Sequence, residues 1–130
     1  MSTTFRAARL VLAAVALVIA GCGGTAAGGE QPPESLDPNS PKIAAEALAF
    51  DAASLTVPAN RPFTLVFENR EAVPHNVSIY SDAARKDRRF EGVVFSGPAT
   101  RWYPVPALAS GTYVFVCDVH PNMRGSLVAS

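Results

Sequence analysis

The sequence has few of the residues that metal enzymes and disulfide-rich proteins use in quantity. Its 130 residues include two histidines, two cysteines and two methionines. Two cysteines form at most one disulfide and cannot supply a Cys₄ zinc or iron–sulfur site, and two histidines cannot serve a multinuclear metal enzyme. The length fits one modest domain and leaves no comfortable room for two. These shortages exclude several classes of protein before any motif is considered.

The sequence also has no excess of charge of either sign. It carries 11 basic and 11 acidic side chains, so its composition does not predict a nucleic-acid partner. Two of the basic residues, Arg6 and Arg9, precede an apolar run near the N-terminus. Without them nine basic side chains face eleven acidic ones, which makes the rest of the chain mildly acidic.

Long hydrophobic runs are absent except for Leu10–Ala20. As a helix these residues would cover roughly 16 Å, about half of a ~30 Å hydrocarbon core. The run is therefore too short to span a membrane, but together with the preceding arginines it is typical of a secretory signal peptide. We predict such a signal peptide at residues 1–21.

The end of this signal, Ile19-Ala20-Gly21-Cys22, resembles a bacterial lipobox. That resemblance predicts lipidation of Cys22, which would become the new N-terminus and anchor the protein to a bacterial membrane. The mature protein would then lie outside the cytoplasm, on the periplasmic side or at the cell surface. A plain signal peptide that leaves Cys22 free is the alternative.

The segment that follows, residues 22–41, is rich in glycine and proline and contains no aromatic residue. It offers too little apolar surface to offset the entropy lost on ordering, so we predict a flexible tether between the lipidated cysteine and the folded domain. A structured N-terminal arm is the alternative.

Residues 42–130 have the pattern of an all-β domain. Phe63–Glu68 has a period of two, with Phe, Leu and Phe on one face and Thr, Val and Glu on the other. Thr112–Cys117 places Tyr113, Phe115 and Cys117 on one face. Turn residues separate such stretches, which predicts an antiparallel sandwich of seven or eight short strands. Only Lys42–Leu48, with three alanines and a glutamate, could form a helical turn. The charged stretch Asp82–Arg89 predicts a solvated loop, or alternatively a docking surface for an acidic partner or anionic lipid.

Chemistry-bearing residues gather after the last of these strands. Cys117, His120 and Met123 fall within seven residues, and His75 begins another strand after Pro74. One thiolate, two imidazoles and a thioether form the ligand set of a trigonal copper site with a weak axial ligand, whereas they disfavour Mg²⁺ and Ca²⁺. Singly, each residue has a plainer interpretation: a hydrogen-bonded histidine, a small buried cysteine and a methionine that fills a gap in the core. Their joint occurrence favours copper.

These residues also carry a family resemblance. "VPHNV" at 73–77, "GTYVFVC" at 111–117 and the spacing Cys-x₂-His-x₂-Met resemble the cupredoxins, blue-copper proteins of the plastocyanin, pseudoazurin and amicyanin group. The resemblance implies a Greek-key β-sandwich that holds one type 1 copper ion. It implies His75, Cys117 and His120 as equatorial ligands and Met123 as the axial ligand.

The resemblance assigns roles to residues around the metal as well. Asn76 would tie the His75 strand to the ligand loop. Asp118 departs from the family, in which a small hydroxyl residue often follows the cysteine. Pro121 would lie beside an exposed edge of His120, where a partner protein docks and the electron leaves.

We therefore predict a monomeric electron carrier that passes single electrons between an extracytoplasmic donor and acceptor, both redox proteins. An enzyme is not expected, because the copper site uses both histidines and leaves no imidazole for acid–base chemistry. The alternative is a copper-binding module for storage, delivery or tolerance. A sandwich domain for adhesion, without metal, is a more distant possibility.

Overall fold

The computed structural model describes residues 28–130 and shows an all-β architecture. Eight of the strands in this part of the chain have three or more residues, and three have only two. No helix in these residues is long and apolar enough to cross a membrane. The strands are β1 (Lys42–Glu46), β2 (Ala49–Phe50), β3 (Ser54–Val57), β4 (Phe63–Asn69), β5 (Pro74–His75), β6 (Ser78–Tyr80), β7 (Arg88–Glu91), β8 (Phe95–Ser96), β9 (Ala99–Val105), β10 (Gly111–Val116) and β11 (Arg124–Ala129).

The strands form two main sheets and one small pair. One sheet has the order β2-β1-β4-β9 and the other the order β3-β11-β10-β6-β7, while β5 pairs with β8. Most pairings are antiparallel, but β1 runs parallel to β4 and β3 runs parallel to β11. The predicted all-β sandwich is confirmed, with these two parallel pairings added to it.

The core lies between the sheets and follows from the alternation along the strands. Leu65 and Phe67 of β4 and Phe115 of β10 are fully buried. Phe50 meets the Phe115 ring edge-on, with 5.4 Å between the ring centroids. Burial of each large side chain contributes about 1.5–3 kcal/mol. The core thus fixes β10 just before it reaches Cys117.

The expected helical turn at Lys42–Leu48 is wrong, because Lys42–Glu46 forms β1 between β2 and β4. Ala44 and Ala45 are 2% and 0% exposed, so burial against the core outweighs the helix propensity of alanine. Ala47 and Leu48 form the two-residue connection to β2, with φ values of 53° and 58°. Such positive values are typical of tight hairpin turns.

Residues 28–41 contact the sandwich in two places. Gly29 exchanges backbone hydrogen bonds of 3.2 and 3.3 Å with Trp102 of the edge strand β9, and the carbonyl of Pro41 accepts the N–H of Val66 at 2.9 Å. These bonds place Gly29 and Pro41 of the predicted tether against the sheet that contains β4 and β9. The predicted signal peptide (residues 1–21), the lipidation site Cys22 and residues 23–27 lie outside the described residues.

Candidate metal centre

Three segments meet at one end of the sandwich. β5 carries His75, β10 ends next to Cys117, and the loop from residue 117 to 123 leads into β11. Two backbone hydrogen bonds close this loop: Cys117 N–H to the Met123 carbonyl at 2.9 Å, and Met123 N–H to the His120 carbonyl at 2.8 Å. The loop therefore folds back on itself and brings His120 close to Cys117.

The structure brings His75, Cys117 and His120 together as a group that could hold a metal ion. The Cys117 Sγ lies 3.6 Å from His75 Nδ1 and 3.8 Å from His120 Nδ1, and the two Nδ1 atoms are 3.2 Å apart. A point equidistant from the three atoms lies about 2.1 Å from each, which is close to the length of metal–imidazole bonds. The three donor atoms thus fit a trigonal metal ion.

Met123 follows in the same loop and is 3% exposed. It belongs to the same cluster of buried side chains as Cys117. Its thioether could supply the fourth ligand to a copper ion. A soft thiolate, two imidazoles and a thioether are the donors that copper accepts in both of its oxidation states.

Sequence reasoning missed Glu71, which contacts the far side of His75. The His75 ring is fully buried, and its Nε2 lies 2.7 Å from Glu71 Oε1. A carboxylate at this distance accepts the Nε2 proton and leaves the Nδ1 lone pair free for a metal. No motif marks Glu71 in the sequence. It contacts His75, four positions later, because the chain turns between them and not because both lie on one face of a helix.

Glu71 is itself held in place by the turn between β1 and β2. Its carboxylate accepts the backbone N–H of Leu48 at 3.1 Å. This bond, together with the contact to His75, holds the pKa of Glu71 below its ordinary value, although desolvation opposes the shift. The Glu71 carboxylate therefore stays ionised and can accept the ring proton of His75.

Asn76 joins the His75 strand to the ligand loop. Its side-chain oxygen accepts the backbone N–H of Asp118 at 2.8 Å. Its amide nitrogen donates to the Gly92 carbonyl at 3.0 Å and to the Asp118 carboxylate at 2.8 Å. Because Asn76 is 1% exposed, these bonds form away from water and fix the position of Cys117 relative to His75.

The Asp118 side chain bonds to β6 and is not among the residues that could hold the metal ion. Its carboxylate accepts hydrogen bonds from the Ser78 hydroxyl and, at 2.8 Å, from the Tyr80 hydroxyl. Burial alone would raise the pKa of Asp118, but the hydrogen bonds outweigh it and lower that pKa below its ordinary value. Asp118, at the position where the family often has a small hydroxyl residue, therefore adds a hydrogen-bonded carboxylate next to Cys117.

The outer side of the site is open to solvent. His120 is only half-buried, Pro121 is exposed, and Val119 is 43% exposed. The two residues next to His120 in the chain are thus apolar and exposed. A partner could approach the site at this point without displacing the core.

Comparison with known proteins agrees with this geometry. A family model described as a cupredoxin-like domain matches residues 10–129. The chain belongs to the cupredoxin-like family. Among curated relatives, auracyanin-A of Chloroflexus aurantiacus is 30% identical, in an alignment that covers 92% of this chain and 93% of that protein. Amicyanin-alpha of Methylorubrum extorquens is 28% identical and covers 92% and 96%.

Solved cupredoxins show the same fold. The structure of auracyanin A from Chloroflexus aurantiacus, described as a "blue" copper protein, has a TM-score of 0.61 at 27% identity and covers 70% of this chain and 98% of that one. Reduced auracyanin from Roseiflexus castenholzii has a TM-score of 0.62 at 23% identity and covers 74% and 99%. The family resemblance seen in the sequence is confirmed.

Proposed function

We propose that the protein binds one type 1 copper ion and carries single electrons between extracytoplasmic redox partners. The observation that supports this most directly is the triangle of donor atoms from His75, Cys117 and His120, with Met123 in the same loop. A bound copper ion would supply one-electron chemistry between Cu(I) and Cu(II). The description of auracyanin A as a blue copper protein supports the same conclusion.

The chain's own residues would keep the ligand geometry nearly constant while the charge changes. His75 is held by Glu71, and the Asn76 side chain accepts the backbone N–H of Asp118, the residue after Cys117. Ligands that do not need to move impose a small reorganisation on electron transfer. Both histidines belong to the site, so none is left for acid–base catalysis, and we propose a carrier and not an enzyme.

The carrier is proposed to be monomeric and to work outside the cytoplasm. A signal peptide at residues 1–21 and a lipid on Cys22 would anchor it to a bacterial membrane. Mass spectrometry of the mature protein should find an N-terminus at Cys22 with a diacylglycerol adduct. The Cys22→Ser variant should move from the membrane fraction to the soluble fraction, and an unchanged distribution would contradict the anchor.

Addition of Cu(II) to the metal-free protein tests the copper proposal. We expect an intense blue or green thiolate-to-copper band at one equivalent and a reversible one-electron wave in voltammetry. Cys117→Ser should abolish both. A protein that binds copper but stays colourless would instead support the alternative, a module for copper storage, delivery or tolerance.

A further inference from the structure

We infer that a basic groove beside the ligand loop docks an acidic protein partner. The groove has a volume of about 180 Å³, and both Arg85 and Arg124 line it. Pro121 and Asn122 of the ligand loop form another wall, and no carboxylate lines it. The inference rests on the proposed electron-transfer function and specifies the kind of partner that this function would use.

The groove exists because the β6–β7 loop folds across the outside of β10. Val114 and Val116 of β10 form its floor, while Arg85 reaches it from the loop. Arg124 is the first residue of β11, pairs with Val116 across the sheet, and follows Met123 directly. Both guanidinium groups therefore lie on the flank of the loop that carries His120.

The loop holds Arg85 in a defined conformation. Its φ is 54°, a left-handed value that is uncommon for a residue with a side chain and that carries a cost in free energy. The Arg85 N–H donates to the Asp82 carbonyl at 3.2 Å, and the Asp82 carboxylate accepts the Ala84 N–H at 2.8 Å. The turn therefore fixes the backbone from which the Arg85 side chain reaches the groove.

The two arginines of this groove have no ion-pair partner in the described residues. Across residues 28–130, most other arginines form ion pairs, for example Arg70 with Glu68, Arg89 with Asp87 and Arg101 with Glu30. No ion pair within this part of the chain involves Arg85 or Arg124. Two positive charges without an ion-pair partner, beside Pro121 and Asn122 of the ligand loop, complement carboxylates on a docking protein. Such charge pairs steer association and set its orientation.

A protein partner fits these observations better than an anionic membrane. The positive charges line one small groove that is continuous with the ligand loop, whereas lipid binding uses clusters of several basic residues on a broad face. Contact at this groove also places a partner near the exposed edge of His120, where an electron would leave. The geometry therefore favours a redox protein with carboxylates around its own electron-transfer site.

The test compares Arg124→Glu with Arg61→Glu in the copper(I)-loaded protein. Arg61 is exposed and lies just before Pro62 and β4. Asn69, at the other end of β4, donates its side-chain amide to the Phe95 carbonyl near the site. Arg61 therefore lies at the end of β4 that is away from the site. Both variants exchange one positive for one negative charge. Hexacyanoferrate(III), which takes one electron and becomes hexacyanoferrate(II), serves as an anionic probe. A ferric c-type cytochrome with an acidic surface, which takes one electron and becomes ferrous, serves as a protein probe.

For Arg124→Glu we expect the second-order rate with both probes to fall about three- to tenfold at low ionic strength, with the difference shrinking as salt is added. Oxidation by the cationic tris(phenanthroline)cobalt(III) ion should become faster. Arg61→Glu should change each rate less than about twofold. Arg85 is not adjacent in the chain to any proposed ligand, unlike Arg124, which follows Met123. Arg85→Glu should therefore repeat the effect and exclude a disturbed copper site as its cause.

A second readout does not depend on copper. In the metal-free protein, the paramagnetic anion hexacyanochromate(III) should broaden the amide signals of Asn122 and Arg124 and not those near Arg61. Equal electron-transfer rates for the Arg124 and Arg61 variants would overturn the inference. If the copper(II)-loaded protein still showed its blue band in that case, the proposed function would stand. Binding to anionic lipid vesicles that is lost in both groove variants, with unchanged probe rates, would assign the groove to a membrane and overturn the inference too.

Discussion

The two candidate histidine ligands differ in how the protein holds them. His75 is fully buried, its ring is bonded to Glu71, and it lies in a strand paired with β8. His120 is half-buried in a loop that is closed by two backbone hydrogen bonds, and Pro121 beside it is exposed. One ligand is fixed by the interior of the domain, and the other lies at its surface.

This difference indicates that the two histidines have different roles. Fixed ligands keep the geometry constant when the charge of the metal changes, while an exposed ligand gives a partner a short path to the site. Changes around His75 should therefore alter stability and metal affinity. Changes around His120 should alter exchange with partners and leave the folded protein almost untouched.

The largest effect is expected on the buried side, from Asn76→Ala. The substitution leaves the Asp118 N–H and the Gly92 carbonyl without their partners in a buried environment. We expect the free energy of unfolding to fall by about 3 kcal/mol, measured by urea denaturation of the metal-free protein. Asn122→Ala in the exposed part of the loop is the control, with an expected change below about 0.5 kcal/mol. Equal losses would remove the distinction between the two sides.

The next effect concerns Glu71→Ala, which removes the acceptor of the His75 ring proton. Without it the ring is free to change tautomer and orientation, so copper affinity should fall by about 10–100-fold. Competition with a chromophoric Cu(I) chelator measures this change. Glu68→Ala removes an exposed carboxylate that pairs with Arg70 and should leave the affinity unaltered. An affinity that Glu71→Ala does not change would show that burial alone orients His75.

Tyr103 provides a smaller effect with a defined pH dependence. Its hydroxyl donates to the Val93 carbonyl at 2.7 Å, close to β8, the strand that covers His75. Burial raises the pKa of Tyr103 far above its ordinary value. Because the folded state favours the neutral phenol, this stabilising contribution is complete below about pH 10 and is lost as the pH rises beyond that value.

Tyr103→Phe should therefore cost about 1 kcal/mol at neutral pH through the lost hydrogen bond. It should also make the decline in stability above about pH 10 less steep. Urea denaturation at several pH values measures both quantities. Tyr113→Phe, which removes a hydrogen bond to the exposed Ala109 carbonyl, is the control for the neutral-pH loss. An alkaline decline as steep as in the wild type would contradict the role of Tyr103.

The smallest effect on stability is expected on the exposed side, from Pro121→Glu. The residue is exposed, so the free energy of unfolding should change by less than about 0.5 kcal/mol and the copper spectrum should stay nearly the same. Exchange of electrons with a redox partner should slow, because a charged side chain now stands at the apolar docking point. Stopped-flow measurement of an unchanged exchange rate would show that partners approach elsewhere.

Much of this architecture could be predicted from the sequence. The alternation in Phe63–Glu68 and Thr112–Cys117 is a local signal that burial preserves. β4 contains the first stretch, and β10 contains the second up to Val116, with Cys117 directly after it. The close spacing of Cys117, His120 and Met123 brings them into one loop. His75 lies more than forty residues from Cys117. Its place in the site was predicted from the copper ligand set that it completes, and also from the family motif around it.

The rest depends on contacts that leave no local pattern. Lys42–Glu46 forms a strand because Ala44 and Ala45 are buried beside β4, which outweighs their preference for a helix. Glu71 acts on His75 through a turn that only tertiary structure defines. The groove formed by Arg85 and Arg124 joins residues that belong to different loops and strands, so the charged stretch in the sequence did not indicate its position.

Copper K-edge X-ray absorption of the Cu(II)-loaded protein tests the central claim most directly, namely that His75, Cys117 and His120 bind one copper ion. The account predicts two nitrogen atoms at about 2.0–2.1 Å and one sulfur atom at about 2.2–2.3 Å, lengths similar to those that zinc shows with the same donors. The sulfur signal should disappear in Cys117→Ser. A wild-type spectrum that contains only nitrogen and oxygen ligands would contradict the account.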